Sequence, residues 1–195
     1  CCFNNTFKIT PDTFDIWMRI LKRVDGSVLW LLCDNPRAQA NLAAAAKAQG
    51  VDSSRIVFAP RVPNDQHLAR MRAADLFLDT LPYNAHTTAS DALWAGVPVL
   101  TCTGTSFAGR VATSMLTTLD MPELITTNVN QYESVAYELA LNPEKLQAIK
   151  SKLARNRLSS PLFNASLITR DIEKAYQAMF QRFQKGLPPA SITLD

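Results

Sequence analysis

The sequence lacks the features that mark several common classes of protein. No apolar run approaches the ~18 residues that a membrane-spanning helix needs, and no signal peptide is recognisable. It contains no G-x-G-x-x-G fingerprint, no Walker loop and no G-x-S-x-G elbow. These absences argue against a membrane span, a standard dinucleotide fingerprint, a P-loop and a hydrolase nucleophile elbow.

Cysteine and histidine are scarce and scattered. The four cysteines are Cys1, Cys2, Cys33 and Cys102, and none belongs to a C-x-x-C pair. Adjacent cysteines rarely bridge each other because the geometry is strained. A reducing compartment is therefore favoured, and we expect a cytoplasmic protein. With two histidines, no zinc-ligand spacing and no D-x-D triplet, the sequence predicts no metal.

An excess of one charge is also missing. Lysine and arginine exceed aspartate and glutamate by three, and the two signs are interspersed. We therefore expect neither nucleic acid nor a membrane as a partner. The slight positive bias fits an anionic small molecule equally well. At 195 residues and 47% hydrophobic composition, the chain is long enough for one domain with its own core.

The chain begins without methionine. Its first residues, Cys1-Cys2-Phe3, run directly into Asn4-Asn5, which is typical of the end of a strand already under way. We therefore expect a piece of a longer protein.

Apolar runs of strand length alternate with segments of helical periodicity in the first 128 residues. Strands are predicted at 27–33, 55–58, 75–78, 97–101 and, shorter, at 124–126. Helices are predicted at 11–24, 41–49, 65–73, 87–95 and 107–119. Beyond residue 129 the pattern is helical alone, with helices at 131–141, 143–156 and 165–184. This order predicts an α/β fold, with a doubly wound parallel sheet over 1–128 and a helical extension over 129–195.

The segment 79–100 carries the strongest indication of a ligand. An apolar run ends in a loop, and the loop leads into a helix that begins with the polar residues His86, Thr87 and Thr88. Free backbone N–H groups and the helix dipole favour a phosphate at such a helix start. Asp91 lies one turn further on, where it could reach a sugar hydroxyl. The alternative is that these polar residues merely cap the helix.

Two further loops place polar residues at the same edge of the predicted sheet, where ligands of open parallel sheets bind. Asn4, Asn5 and Lys8 follow the first strand, and the loop after 55–58 leads to His67 and Arg70. Both histidines of the chain therefore fall on this edge. The alternatives are a surface helix residue for His67 and a solvated lysine for Lys8.

Five stretches of the sequence together resemble a known family. They are F-N-N-T-F-K-I-T-P (3–11), S-V-L-W-L-L (27–32), F-A-P with P-N-D-Q-H-L-A-R (58–70), L-D-T-L-P-Y-N-A-H-T-T-A-S-D-A-L-W-A-G-V-P-V-L-T (78–101) and S-P-L-F-N (160–164). They resemble the carboxyl-terminal catalytic lobe of O-linked N-acetylglucosamine transferases, in particular the bacterial SPINDLY-type members. The similarity covers nearly the whole chain.

The resemblance implies the second, Rossmann-like lobe of a GT-B glycosyltransferase, which binds UDP-GlcNAc without a metal and modifies protein serine or threonine. It implies a first lobe, commonly preceded by tetratricopeptide repeats, as a partner outside this sequence, and it does not place a general base. The resemblance implies Lys8 as the catalytic group, against the diphosphate, with His86, Thr87 and Thr88 around the phosphates. It implies Asp91 at the ribose, and His67, Arg70 and the Val62 backbone near the uracil. Asn5 and Asn64 are the implied site residues at which animal members carry glutamine and lysine.

The two departures at Asn5 and Asn64 put one ribose or phosphate contact in doubt. Plant SPINDLY proteins resemble this lobe too, yet use GDP-fucose. The run H-T-T-A-S-D at 86–91 is closer to the UDP-GlcNAc pattern, so we favour that donor. The alternatives are a related O-fucosyl- or glucosyltransferase lobe, and a non-catalytic scaffold that binds a sugar nucleotide.

Overall fold

The computed structural model describes residues 1–194, and its centre is a parallel β-sheet. The strands pair in two ladders, one of β1 with β2 and the other in the order β3-β4-β5, all parallel. Their bounds are β1 Leu29–Leu32, β2 Ile56–Ala59, β3 Phe77–Leu78, β4 Val99–Cys102 and β5 Ile125–Thr126.

Residues 1–3 join the two ladders. On one side Cys2 N donates to Trp30 O at 2.9 Å and forms a parallel bridge with Leu31. On the other side Leu78 N donates to Cys1 O at 2.8 Å. The sheet therefore runs β2, β1, residues 1–3, β3, β4, β5. This is the doubly wound order, and its direction of winding changes between residues 1–3 and β3. A ligand crevice is expected at the carboxyl ends of the strands there.

Eight α-helices accompany the sheet in residues 1–194. Each of the crossovers from β1 to β2, β3 to β4 and β4 to β5 contains one of them, as the alternating sequence pattern predicts. Their bounds are α1 Pro11–Arg23, α2 Pro36–Ala48, α3 Asn64–Met71, α4 Thr87–Ala95, α5 Val111–Thr118, α6 Val129–Leu141, α7 Pro143–Ser159 and α8 Ala165–Gln184.

The sequence-based bounds are confirmed for α4 and α8 and wrong elsewhere by a few residues. Helix α2 begins at Pro36 rather than 41, because the Asn35 side chain accepts from the N–H groups of Arg37 and Ala38. Helix α5 begins at Val111 rather than 107, because residues 103–110 form a loop. Strand β2 is shifted by one residue from the predicted run 55–58, and the other four strands are shorter than predicted, with β3 paired to β4 at Phe77 and Leu78.

The core is one connected cluster of buried side chains on the sheet and its helices. Helices α1 and α6 pack against each other, as do α3 and α4. Under α1 and α6, Trp17 Nε1 donates to Tyr132 Oη at 3.1 Å, and Tyr132 Oη donates to Asp79 O at 3.0 Å. The end of β3 is thereby fixed from below the sheet.

Helix α8 stands apart from this core. None of its residues is buried, and its apolar side chains remain open to solvent, with Tyr176 65%, Phe180 59% and Phe183 78% exposed. Apolar residues recur along α8 at helical spacing, and their exposure shows that this stripe does not pack on the sheet of this chain. Among residues 1–194, no helix combines the length and apolar character that crossing a membrane requires.

Candidate functional site

A polar cleft of about 270 Å³ opens at the carboxyl ends of the strands, beside the change of winding. It is lined by Phe3, Leu32, Arg61, Val62, Asn64, His67, Arg70, Thr88 and Asp91. Six of the ten residues expected from the sequence line this one cleft. Of the other four, Asn5 and Lys8 lie in the turn after residues 1–3, and His86 and Thr87 lie at the start of α4. The loops after residues 1–3, β2 and β3 thus converge as the topology requires.

His67 and Arg70 form one wall of the cleft. Arg70 Nη2 and Nε lie 2.8 and 3.2 Å from His67 Nδ1. Because a guanidinium donates and never accepts, Nδ1 must accept, which leaves the ring proton on Nε2. Burial and the charge of Arg70 lower the pKa of His67, so the ring is a neutral N–H donor near pH 7. The expected pair is therefore a preorganised unit rather than a surface histidine beside a solvated arginine.

Asp91 lies in the same cleft on α4. Partial burial raises the pKa of its carboxyl, and His67 opposes this shift only in its protonated form. Neighbouring Thr88 donates its hydroxyl proton to Asn4 Oδ1. In this state the carboxylate of Asp91 is an acceptor facing the cleft, whereas Thr88 has its proton engaged.

The start of α4 is open. His86 is the N-cap, and its side chain makes no capping hydrogen bond. The N–H groups of Thr87 and Thr88 have no acceptor among residues 1–194, and Thr87 is exposed to solvent. The alternative that these polar residues merely cap the helix is therefore wrong. The free N–H groups and the positive end of the dipole reach the surface together.

Helices that start at the carboxyl edge of the sheet differ in how they begin. The starts of α1, α2 and α6, which follow residues 1–3, β1 and β5, are capped by the side chains of Thr10, Asn35 and Asn128. Open starts occur instead at α3, α4 and α5, which follow β2, β3 and β4. Two of these three helices, α3 and α4, contribute residues to the cleft.

Lys8 ends a 3-10 turn, Thr6–Lys8, that follows residues 1–3. Its Nζ donates to Asn84 O at 2.8 Å and lies 3.8 Å from the centroid of the Tyr83 ring. Partial burial lowers the pKa of this ammonium, while the charge of Asp79 raises it. Two of its three N–H groups find no acceptor in residues 1–194. Lys8 is therefore a cation that the protein holds in place and that keeps N–H groups free to donate to a ligand, rather than a solvated lysine.

The Tyr83 ring beside this lysine belongs to a group of three rings with His86 and Phe107, and sequence reasoning missed Tyr83 and Phe107. His86 makes edge-to-face contacts with Tyr83 and Phe107, with ring centroids 5.1 and 6.3 Å apart. Phe107 was expected inside a helix, but it stands on the loop after β4 and is 77% exposed. A Cβ on Gly109 would lie 2.9 Å from Pro82 O. The backbones of the two loops therefore touch at this point.

Arg61 is a further residue that sequence reasoning missed. Its Nη2 donates to Asn5 Oδ1 at 2.5 Å, and its Nε donates to Asp34 Oδ2 at 3.1 Å. The guanidinium so connects the loops after residues 1–3, β1 and β2. Arg61 also lines the cleft and brings a positive charge to it, whereas the neighbouring Asn64 side chain is neutral. Its place between two prolines in a loop was the available indication.

Asp79 is another residue that sequence reasoning missed. It directly follows β3 and is the one carboxylic acid classed as buried in residues 1–194. Its oxygens accept from Thr80 N, Ala85 N and Thr101 Oγ1 at 2.8, 2.6 and 2.7 Å. Burial nevertheless raises the pKa of Asp79 to about 7. An acidic residue immediately after an apolar strand was visible in the sequence, but its partners were not.

A larger cavity of about 470 Å³ lies at the opposite, amino edge of the sheet. Its lining is mostly apolar and includes none of the ten expected residues. We place the functional site in the smaller cleft, since polar groups and perturbed carboxyl groups converge there. No cluster of three or more histidine, cysteine, aspartate or glutamate residues suited to a metal ion occurs in residues 1–194.

Comparison with known families gives one match over most of the chain. The profile described as Glycosyl transferase family 41 matches residues 1–172. A UDP-N-acetylglucosamine–peptide N-acetylglucosaminyltransferase of Caenorhabditis elegans is 37% identical over 193 residues, 99% of this chain and 17% of that protein. A probable SPINDLY transferase of Oryza sativa is 34% identical over 99% of this chain and 21% of its own length.

A solved structure agrees with these relatives. A Thermobaculum terrenum O-GlcNAc transferase mutant superimposes with a TM-score of 0.86 at 31% sequence identity, over 91% of this chain and 35% of that chain. The predicted Rossmann-like α/β fold is thereby confirmed. The chain spans about a fifth of the length of the curated relatives that it matches.

Proposed function

The chain belongs to glycosyl transferase family 41, and on that premise we propose that it is the nucleotide-sugar-binding lobe of a protein O-GlcNAc transferase. Such an enzyme transfers N-acetylglucosamine from UDP-GlcNAc to serine or threonine hydroxyls. The observation that carries the proposal is the open start of α4 beside the held ammonium of Lys8, at the point where the sheet changes its winding.

In this proposal the diphosphate lies between Lys8 and the start of α4. When the sugar leaves, negative charge develops on UDP, and donors already aimed at that charge stabilise the transition state. Lys8 supplies a full positive charge, and the N–H groups of Thr87 and Thr88 supply aligned dipoles. These groups do the electrostatic work without a metal, and we propose direct displacement with inversion at the sugar carbon.

The nucleoside occupies the cleft. His67, held by Arg70, and the Val62 backbone face the uracil, and Asp91 accepts a ribose hydroxyl. By the resemblance, Asn64 and Asn5 lie where animal members carry lysine and glutamine, whose side chains are longer. Asn64 is neutral, and Arg61, which contacts Asn5, supplies the positive charge in its place.

Binding of nucleotides to this chain tests the proposal. In isothermal titration calorimetry with EDTA present, we expect UDP and UDP-GlcNAc to bind, and GDP-fucose to bind at least tenfold more weakly. Tighter binding of GDP-fucose would favour the O-fucosyltransferase alternative, and equal binding of UDP-glucose would leave the sugar unselected by this lobe. Binding that requires added divalent metal would contradict the metal-independent mechanism.

We further propose that transfer needs a second lobe. In the relatives, a lobe like this chain is one part of a longer protein, and that longer protein would supply the second lobe. Two observations support this: the chain spans about a fifth of those relatives, and the apolar face of α8 is exposed. The acceptor polypeptide would enter between the lobes. We expect no transfer by this chain alone, and measurable transfer would overturn the two-lobe requirement. A full-length protein that binds UDP-GlcNAc without turnover would favour the scaffold alternative.

A further inference from the structure

The loop between β3 and α4 carries two of the groups on which the proposed site depends. Asn84 O holds Lys8 Nζ, and His86 opens α4 with its free N–H groups. The path of residues 80–86 therefore sets where the ammonium and the helix start lie relative to each other. Whatever fixes this loop also fixes the spacing of the two positive groups.

The carboxylate of Asp79 is at the centre of that loop's hydrogen bonds. Oδ1 accepts from Thr80 N and from Ala85 N, so it joins the first residue of the loop to a residue near its end. Oδ2 accepts from Thr101 Oγ1 on β4, which anchors the carboxylate to the sheet. One side chain thus closes the loop and ties it to a rigid strand.

A second branch leads from the same carboxylate to α4. Asn4 Nδ2 donates to Thr80 Oγ1 at 2.7 Å and lies 3.5 Å from Asp79 Oδ1. Asn4 Oδ1 accepts from Thr88 Oγ1 in the first turn of α4. Asn4 and Asp79 are both buried, at 1% and 0% exposure. The network therefore reaches the helix start from two directions, through the loop and through Asn4.

We propose that Asp79 is a positioning residue for diphosphate binding, which sets the distance between Lys8 and the open start of α4 without itself touching the ligand. The inference rests on the proposed function of the site. Asp79 lies beneath the loop and is fully buried, so its influence must pass through Asn84, Ala85 and Asn4.

A purely structural role does not explain why the residue at this buried position is an acid. Burying an ionisable acid opposes folding unless its charge is fully compensated, and burial here raises the pKa of Asp79 to about 7. An amide side chain would fill the same space and keep one acceptor without burying an ionisable group. Retaining an acid fits a site that needs two strong acceptors for loop N–H groups and a negative charge that favours the ammonium of Lys8.

Four variants of this chain separate positioning from general stability. Asp79→Ala removes every acceptor, whereas Asp79→Asn keeps one oxygen for the N–H groups of Thr80 and Ala85. Thr126→Val is the matched control, because it removes a buried hydrogen bond of the same sheet, Thr126 Oγ1 to Thr101 O at 2.8 Å, and leaves in place the Thr101 hydroxyl that donates to Asp79. Asn4→Ala cuts the second branch alone and serves if Asp79→Ala does not fold.

Amide hydrogen exchange without ligand gives the first readout. We expect Asp79→Ala to speed exchange of Ala85 N–H at least tenfold beyond any change at core strand amides such as Leu100. Asp79→Asn should restore most of the protection, and Thr126→Val should leave the loop at its original rate. A uniform change over loop and core in Asp79→Ala would mean global destabilisation and would overturn the proposal.

UDP binding gives the second readout. Loss of a buried acceptor predicts about tenfold weaker binding for Asp79→Ala, a smaller loss for Asn4→Ala, and recovery to within about threefold for Asp79→Asn. Equal affinity in the original chain and in folded Asp79→Ala or Asn4→Ala would overturn the positioning role and leave the proposed function standing. Failure of the original chain to bind UDP would instead overturn the proposed function, and the inference with it.

Discussion

Lys8 Nζ donates a hydrogen bond of 2.8 Å to Asn84 O, across 76 positions of sequence. This contact joins the turn after residues 1–3 to the loop before α4, on the two sides of the point where the sheet changes its winding. A cation held at one loop and open N–H groups on the next form a binding site for an anion with two phosphate groups.

The first prediction concerns the catalytic share of Lys8. In an enzyme that contains this lobe and its partner lobe, Lys8→Ala should lower kcat about 10²–10³-fold, as expected for loss of one preorganised donor to a developing charge. UDP affinity should fall less, because the N–H groups of α4 remain. Steady-state kinetics of sugar transfer measure the first effect, and calorimetry measures the second.

Lys47→Ala is the matched control, since Lys47 is an exposed lysine in the last turn of α2, away from the cleft. It should leave kcat unchanged. Near-normal kcat in Lys8→Ala, together with loss of turnover in Asp91→Ala, would contradict this prediction and assign the main catalytic role to Asp91.

The second prediction concerns the start of α4. When UDP is added to the ¹⁵N-labelled chain, the backbone amides of Thr87 and Thr88 should show the largest chemical-shift changes, because their N–H groups have no acceptor within residues 1–194. Arg37 and Ala38 at the start of α2 should not move, because Asn35 already caps them. Equal shifts at both helix starts would indicate non-specific anion binding.

The sequence was informative where local chemistry decides structure. The bounds of α4 and α8 follow from polar starts and apolar spacing, and the edge of the sheet that bears the site follows from strand order. The contacts of Asp79 with Thr101 and of Arg61 with Asn5 join residues 22 and 56 positions apart. No periodicity or motif encodes such pairings, because they depend on how separate loops meet in space.

The third prediction assigns Asp91 to the ribose. If its carboxylate accepts a ribose 2′-hydroxyl, this chain should bind 2′-deoxy-UDP about tenfold or more weakly than UDP, as expected for a hydrogen bond to a charged group. In Asp91→Ala the two ligands should bind equally. A preference for UDP that survives the substitution would place the hydroxyl against another residue.

The fourth prediction is a pH dependence with a defined sign. Asp79 has a pKa of about 7 in the folded chain, against 3.8 for a free carboxyl. Between these values the folded state binds more protons than the unfolded state, so the contribution of Asp79 to the free energy of unfolding falls as pH rises from about 4 to about 7. Lys8 is the charged neighbour, and burial raises the pKa values of Cys2, Cys102 and Tyr132, which favours their neutral forms in this range.

Urea unfolding of Asp79→Asn at several pH values measures this contribution. The variant should gain stability relative to the original chain as pH rises through that window, by up to about 1.4 kcal/mol per pH unit, and the difference should level off above pH 7. A difference that is independent of pH would mean that Asp79 titrates near its ordinary pKa in the folded chain.

The last prediction tests whether the exposed stripe of α8 belongs to a partner lobe. Phe180 is 59% exposed, so Phe180→Lys should change the free energy of unfolding of this chain by no more than about 0.5 kcal/mol. Leu153→Ala, at a fully buried position of α7, should cost about 2–5 kcal/mol in the same urea assay. In the two-lobe enzyme, Phe180→Lys should lower stability or transfer, because there the ring would be covered. A cost in the isolated chain as large as that of Leu153→Ala would mean that the stripe packs within this lobe, and α8 would then offer no surface for a second one.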